Sequence, residues 1–430
     1  MDKVASICLI WRLQIWRWPD RVIASPSVHL HRTTTMKSMG QRARGARLER
    51  MQDSPRWVDG SFRNLAPIRP GLRDPAAPRP SLSDFLCGGP RRVPVAPLPA
   101  LDPREGWRRP PETGLRATWL GHSTVLLEFS APGGQVLRVL TDPVWGERAS
   151  PSRLAGPRRF QPVPVALAAL PPIDLVLISH DHYDHLDFPT VRELARLDLP
   201  ILTSLGVGAH LEHFGVRPER ITELDWWQRW ELRDAKRPGA ELAVTATPSQ
   251  HFSGRGLKDR NATLWSSFVI ETPTRRAFFS GDTGLTDDYT QIRERCGAFD
   301  LVMLEVGAHH PSWGDIHLGP DNAIEALALL GGGPFLPVHW GTFALAVHDW
   351  DAPAESLYAR APSLASPLLM PRLGEVFEPA QFQAAAPQPW WRAIEQRAAP
   401  GSGEDSTTGA ADPAETTPEA LPRGMVWPAD

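Results

Sequence analysis

The chain has 430 residues, a formal net charge of −3 and a hydrophobic share of 42%. With 46 basic against 49 acidic residues it lacks the basic excess of a general nucleic-acid binder, and no run reaches the ~18 apolar residues of a membrane-spanning helix. Its three cysteines, Cys8, Cys87 and Cys296, form no CxxC pair, which argues against a disulfide framework and for a reducing, cytoplasmic compartment.

The first apolar stretch, 4–11, is short, is followed by Arg12 and Arg17, and has no small-residue cleavage site, which argues against a signal peptide. Trp11, Trp16 and Trp18 between arginines are compatible with a weak interfacial anchor. Residues 1–53 read as a poorly structured extension, and Met36, Met39 and Met51 are each available as a start. Residues 54–112, rich in proline and arginine, read as a lead-in that wraps a core. Residues 113–378 read as the catalytic domain and 379–430 as a C-terminal segment, disordered from about residue 398, where small, acidic and proline residues dominate. Removing 1–50 or 398–430 is expected to leave metal content and turnover nearly unchanged.

Between the two ends, apolar β-rich runs fall at 117–129, 136–140, 173–179, 201–204, 242–247, 264–270, 277–280, 301–306 and 335–338. Helix-like stretches fall at 189–197, 207–214, 287–296 and 320–330. Gly133-Gly134 marks an early hairpin, and later strands alternate with helices. That mixture predicts an α/β fold of two mixed sheets with helices outside.

Directly after the run 173–179 comes His180-Asp181-His182-Tyr183-Asp184-His185, with four candidate ligands in six residues. Three isolated residues sit in equivalent places: His251 after 242–247, Asp282 in Gly281-Asp282-Thr283-Gly284, and His339 after 335–338. A lone histidine is more often a structural hydrogen-bonding residue. The repetition at the C-terminal ends of apolar strands, where α/β proteins gather their sites, points instead to one metal centre. Imidazoles with a few carboxylates suit zinc better than calcium or magnesium.

The pattern HxHxDH, then His, then Asp in a GDTG turn, then His resembles the metallo-β-lactamase superfamily. Further segments resemble its N-acyl-phosphatidylethanolamine-hydrolysing phospholipase D family. These are Thr118-Trp119-Leu120-Gly121-His122-Ser123-Thr124, Thr141-Asp142-Pro143-Val144-Trp145, Gly156-Pro157-Arg158-Arg159-Phe160 and His339-Trp340-Gly341-Thr342-Phe343-Ala344-Leu345. The resemblance, over roughly residues 54 to 378, implies an αβ/βα four-layer sandwich with two zinc ions per chain. By motif, it implies that His180, His182 and His251 hold the first zinc, that Asp184, His185 and His339 hold the second, and that Asp282 bridges them. Asp142 is expected to orient a ligand histidine. His122 is expected near the site or in a structural turn. Asp184 and His317 are the expected catalytic residues, His317 matching a family histidine near the substrate.

Two such ions sharing a water lower its pKa toward neutrality, and the resulting hydroxide is expected to attack phosphorus. The expected activity is a phospholipase D-type phosphodiesterase acting on N-acyl phosphatidylethanolamine-like lipids. The alternative is a hydrolase of a small soluble lactone, ester or phosphodiester. No nucleic acid is expected as a partner, whereas peripheral membrane contact and a homodimer are compatible with the resemblance. Ser312-Trp313-Gly314-Asp315-Ile316 carries no basic residue where animal members have a longer, more basic stretch, a departure that bears on the substrate more than on the chemistry. Trp226, Trp227 and Trp230 read as rim or core packing, with an aromatic substrate wall as the other reading.

Overall fold

The computed structural model describes residues 37–68, 80, 81, 84, 91–233, 237, 239–313, 315–382 and 386–394. Helix α1 (Ala46–Gln52) and the hairpin of β1 (Trp57–Val58) and β2 (Ser61–Phe62) come first. Then follow β3 (Leu115–Gly121), β4 (Thr124–Ala131), β5 (Gln135–Thr141), β6 (Leu175–Ile178), α2 (Phe188–Leu194), β7 (Ile201–Ser204), α3 (Gly208–His213) and β8 (Ile221–Leu224). The second half holds β9 (Arg229–Arg233), β10 (Glu241–Thr247), β11 (Ser267–Glu271), β12 (Arg276–Phe279), α4 (Asp288–Cys296), β13 (Leu301–Glu305), α5 (Gly319–Leu329), β14 (Phe335–Val338), α6 (Ala352–Arg360), β15 (Val376–Phe377) and α7 (Pro379–Phe382).

Two sheets form, in the orders β15-β3-β4-β5-β6-β7-β8 and β14-β13-β12-β11-β10-β9. Strand β6 shows why its sequence is apolar throughout. Leu175 and Leu177 join the core shared with Val244, Phe268, Phe278 and Met303 of the other sheet. Val176 and Ile178 point the other way, onto Val191 and Leu194 of α2 and Leu211 of α3. A strand buried on both faces needs no polar alternation. Tyr289 and Ile292 of α4 and Ala323, Ala326 and Leu327 of α5 cover the second sheet. The result is an αβ/βα four-layer sandwich.

Strand direction fixes where the site lies. Strands β5 to β8 run parallel, and β3 runs with them because two antiparallel pairings separate it from β5. In the second sheet β12, β13 and β14 run parallel, and β10 shares their direction through β11. Loops after β3, β5 and β6, and after β10, β12 and β14, are therefore those that carry His122, Asp142 and the His180–His185 run, then His251, Asp282 and His339, while Glu305 closes β13 at the same end.

The predicted run 117–129 is two strands, because Gly121 and His122 turn the chain with positive φ angles of 110° and 52°. Strands β8, β9 and β15 and helix α6 have no counterpart among the predicted elements. β9, Arg229-Trp230-Glu231-Leu232-Arg233, is a charged edge strand, a composition that discourages edge-to-edge pairing. Trp226 is core packing: it is buried with Met51, Phe62 and Trp265, and its Nε1 donates to the Trp265 carbonyl at 2.7 Å.

Two expectations about the ends need correction. Within the expected unstructured stretch 1–53, residues 37–53 are folded onto the domain. Met51 is 2% exposed, Arg47 pairs with Glu212 and Glu223, and Gln41 N donates to His210 Nδ1 at 3.0 Å. Arg255 donates to the Ser38 carbonyl at 2.7 Å and also to the carbonyls of Asp181 and Leu186, so the segment braces the His180–His185 loop from behind. Local sequence hid this because the partners lie far along the chain. The boundary at 378 also cuts through the core, since Trp390, Trp391 and Ile394 pack into it around Trp340. Residues 1–36 and 398–430 lie outside the described residues. Deleting 37–53 is accordingly expected to destabilise the protein, burial of Met51 alone contributing about 1.5–3 kcal/mol. A thermal scan at saturating metal checks this, and an unchanged melting temperature would contradict it.

Candidate metal centre

The loop after β6 is pinned on all sides. Ser179 N and Oγ donate to Asp142 at 2.7 and 2.6 Å, fixing the entry to the loop. Leu186 N closes a turn onto the His182 carbonyl at 2.8 Å. Asp187 then caps α2 by accepting Thr190 N at 3.1 Å, so the chain leaves the site as a helix. On the other side, Tyr183 Oη donates to the Arg255 carbonyl at 2.6 Å.

Two donor groups result. In the first, His180 Nε2 and His251 Nε2 lie 2.9 and 3.3 Å from His182 Nδ1, and each is 3.8 Å from Asp282 Oδ2. In the second, Asp184 Oδ2 is 3.4 Å from His185 Nε2 and 3.3 Å from His339 Nε2. Asp282 belongs to both: its Oδ2 is 3.1 Å from His185 Nε2 and its Oδ1 3.2 Å from His339 Nε2. The seven residues named from sequence thus come together: donor atoms of His180, His182, His251 and Asp282 lie within 4.8 Å of one another, as do those of Asp184, His185 and His339 with His122.

Supporting contacts select the inward nitrogen of two of the rings. Asp142 Oδ2 is 2.7 Å from His185 Nδ1, and the Ile316 carbonyl is 2.7 Å from His251 Nδ1, so in both rings Nε2 faces the centre. His122 combines both roles considered for it. Its backbone turns the chain, and its Nε2 lies 3.0 Å from Asp184 Oδ2. His339, like His122, sits at positive φ (66°), held by its N–H donating to the His122 carbonyl at 3.0 Å. Gly307 is needed beside it, since a Cβ there would lie 2.1 Å from the His339 carbonyl oxygen.

His317 stands at the edge rather than within either group. Its side chain is 12% exposed, and its Nδ1 lies 4.0 Å from Asp282 Oδ2 and 3.1 Å from Glu305 Oε1. Glu305, the last residue of β13, is wholly buried. Reading the sequence missed it, and the only signal was a charge closing an otherwise apolar strand.

The residues fit a pair of cations. A tetrahedral ion with bonds of about 2.0–2.1 Å sets its ligand atoms about 3.3 Å apart, close to the spacing of the first group. His185 Nε2 and Asp282 Oδ1 are buried without a hydrogen-bond partner, although both point into the centre. The electrostatics agree. Burial pushes His180, His182 and His251 below the usual histidine range, leaving them neutral as ligands must be. Burial also opposes charge on Asp184 and Asp282, but the surrounding histidines outweigh it and hold both carboxyls well below the usual range. Burial likewise opposes protonation of His185 and His339, yet Asp282 and Asp184 raise both, His339 to about 10.

The nearby carboxylates thus favour the protonated forms of His185 and His339, and a cation entering the centre competes with protons for both rings. Loading metal-stripped protein at pH 7 is expected to release protons, and affinity should rise with pH toward 10 and fall as pH drops. Titration in weak buffer checks this, and metal uptake without acidification would contradict it.

Residues 137–340 match the family described as the beta-lactamase superfamily domain. The chain is 43% identical over 345 residues to an uncharacterized protein of Mycobacterium tuberculosis, covering 79% of this chain and 88% of that one. It is 35% identical over 280 residues to N-acyl-phosphatidylethanolamine-hydrolyzing phospholipase D 1 of Caenorhabditis elegans, covering 62% and 76%. It is 31% identical over 264 residues to the mitochondrial N-acyl-phosphatidylethanolamine-hydrolyzing phospholipase D of Saccharomyces cerevisiae, covering 60% and 53%.

Proposed function

Because the chain belongs to the metallo-β-lactamase superfamily, and within it to the family of the N-acyl-phosphatidylethanolamine-hydrolysing phospholipases D, we propose that it is a zinc-dependent phosphodiesterase that cleaves N-acyl phosphatidylethanolamine-like lipids into an N-acylethanolamine and a phosphatidic acid. The chain is a metal-dependent hydrolase of that superfamily. The observation that supports the finer reading is Asp282 reaching histidines on both sides of the centre, with His317 at the outer edge, in a chain 35% identical over 280 residues to such a phospholipase.

His180, His182, His251 and Asp282 would hold one zinc, and Asp184, His185 and His339, with Asp282 in reach, would hold the other. When bound, the two ions supply Lewis-acid charge beside the phosphodiester and lower the pKa of an adjacent water. The chain's own residues do the rest. Asp142 keeps His185 turned inward, and His122 donates to Asp184, taking up lone pairs that would otherwise compete for orientation. His317 meets the substrate, hydrogen-bonding a phosphate oxygen or delivering a proton to the departing alkoxide oxygen. Water is the nucleophile in this scheme. The hydroxyl of Ser179, at the entry to the ligand loop, is already committed to Asp142 and His180.

The test offers N-acyl phosphatidylethanolamine in mixed micelles to the zinc-loaded protein, with lactones and simple carboxylic esters in parallel. N-acylethanolamine together with phosphatidic acid in the mass spectrum supports the proposal. Robust turnover of lactones or esters with no cleavage of a phosphodiester overturns it.

A further inference from the structure

We infer that Glu305 is a positioning residue for His317, fixing its ring so that Nδ1 carries the hydrogen and Nε2 is left for the substrate. The inference rests on the phosphodiesterase reading only for what His317 then does.

Glu305 is out of character with its strand. It ends the run Leu301-Val302-Met303-Leu304 and is wholly buried. An apolar residue would fill such a position at lower cost, because burying a carboxylate costs several kcal/mol unless it is paired and hydrogen-bonded. Among the described residues its one ionisable partner within ion-pair distance is His317, at 3.1 Å. The same Oε1 accepts Leu318 N at 2.7 Å, so the carboxylate grips both the ring of His317 and the peptide after it. The second oxygen, Oε2, is buried without a partner.

The backbone that carries Glu305 is fixed by both neighbouring strands. Glu305 N donates to Ser280 Oγ at 3.1 Å, and Ser280 lies two residues before Asp282. On its other side Glu305 is in register with Val338, the residue before His339. The strand carrying Glu305 thus runs between those that deliver Asp282 and His339, and the position of His317 is tied to both.

This placement decides between two roles for His317. Its Nδ1 faces two carboxylates, Asp282 Oδ2 at 4.0 Å and Glu305 Oε1 at 3.1 Å. Asp282, His317 and His339 also form a compact donor trio, so His317 is geometrically close to being a ligand. Hydrogen-bonding to Glu305 keeps a hydrogen on Nδ1 and withdraws that nitrogen from ligation. Nε2 then remains as the ring's free nitrogen, on a side chain that is 12% exposed.

The test joins a spectroscopic and a kinetic readout on the full-length, zinc-loaded protein. In nitrogen-15 spectra of histidine-labelled protein, the His317 signals are those lost in His317→Ala. The neutral ring is expected to carry its hydrogen on Nδ1 in the wild type and in Glu305→Gln, which keeps the acceptor, and to lose that preference in Glu305→Leu. With zinc content unchanged, Glu305→Leu should lower kcat about 10- to 100-fold at nearly constant KM, and Glu305→Gln should restore most of it. Adding Glu305→Leu to His317→Ala should cost nothing more, since a residue acting only through His317 has nothing left to position. A hydrogen on Nε2 in the wild type overturns the inference even if Glu305→Leu does not fold. Additive losses in the double variant overturn it as well. A wild type that cleaves no phosphodiester would sink the functional reading alone, because the tautomer is read without turnover.

Discussion

Asp282→Ala is expected to strip both metal ions and to reduce turnover by about 10³-fold or more, since metal-assisted charge stabilisation contributes several kcal/mol and each ~1.4 kcal/mol is tenfold. The argument is geometric. Asp282 stands with His180 and His251, each at 3.8 Å, and also reaches His185 at 3.1 Å and His339 at 3.2 Å on the other side of the centre. No other carboxylate in the centre spans both groups: Asp184 reaches His185, His339 and His122 but is grouped with neither His180 nor His251. His339→Ala, by contrast, should chiefly weaken the second site and leave the first loaded. Metal analysis after gel filtration separates these outcomes. Full metal content and activity in Asp282→Ala would show that Asp282 is not shared.

His317→Ala is expected to keep both metals and to lower kcat by about 10²–10³-fold, the usual range for loss of a positioned proton donor or acceptor. The donor trio of Asp282, His317 and His339 makes the rival outcome concrete. If His317 were a ligand, the variant would lose metal, and zinc would restore activity. Loss of rate at full metal content assigns it to the substrate instead. Unchanged kcat would remove it from the mechanism.

Much of the fold was legible because the buried strands are apolar on both faces, as in Leu175-Val176-Leu177-Ile178. Elements that escaped are those with mixed composition, such as β9, where charge alternates with Trp230 and Leu232 along a sheet edge. In the centre, the His180–His185 run was legible from ligand density. His251, Asp282 and His339 were legible only because each follows an apolar strand. Glu305 was not, since a charge closing the apolar run Leu301-Val302-Met303-Leu304 does not by itself say whether it faces the centre or water, and its partner lies twelve residues on. The brace formed by residues 37–53 escaped for a similar reason: Arg47 meets Glu223 across 176 positions.

Hydrolysis of N-acyl phosphatidylethanolamine in oxygen-18 water tests the central claim most directly. Attack by water at phosphorus, with departure of the N-acylethanolamine oxygen, places the label in the phosphate of phosphatidic acid and none in the N-acylethanolamine. Label in the hydroxyl of the N-acylethanolamine, or in a free fatty acid released by ester cleavage, would contradict it.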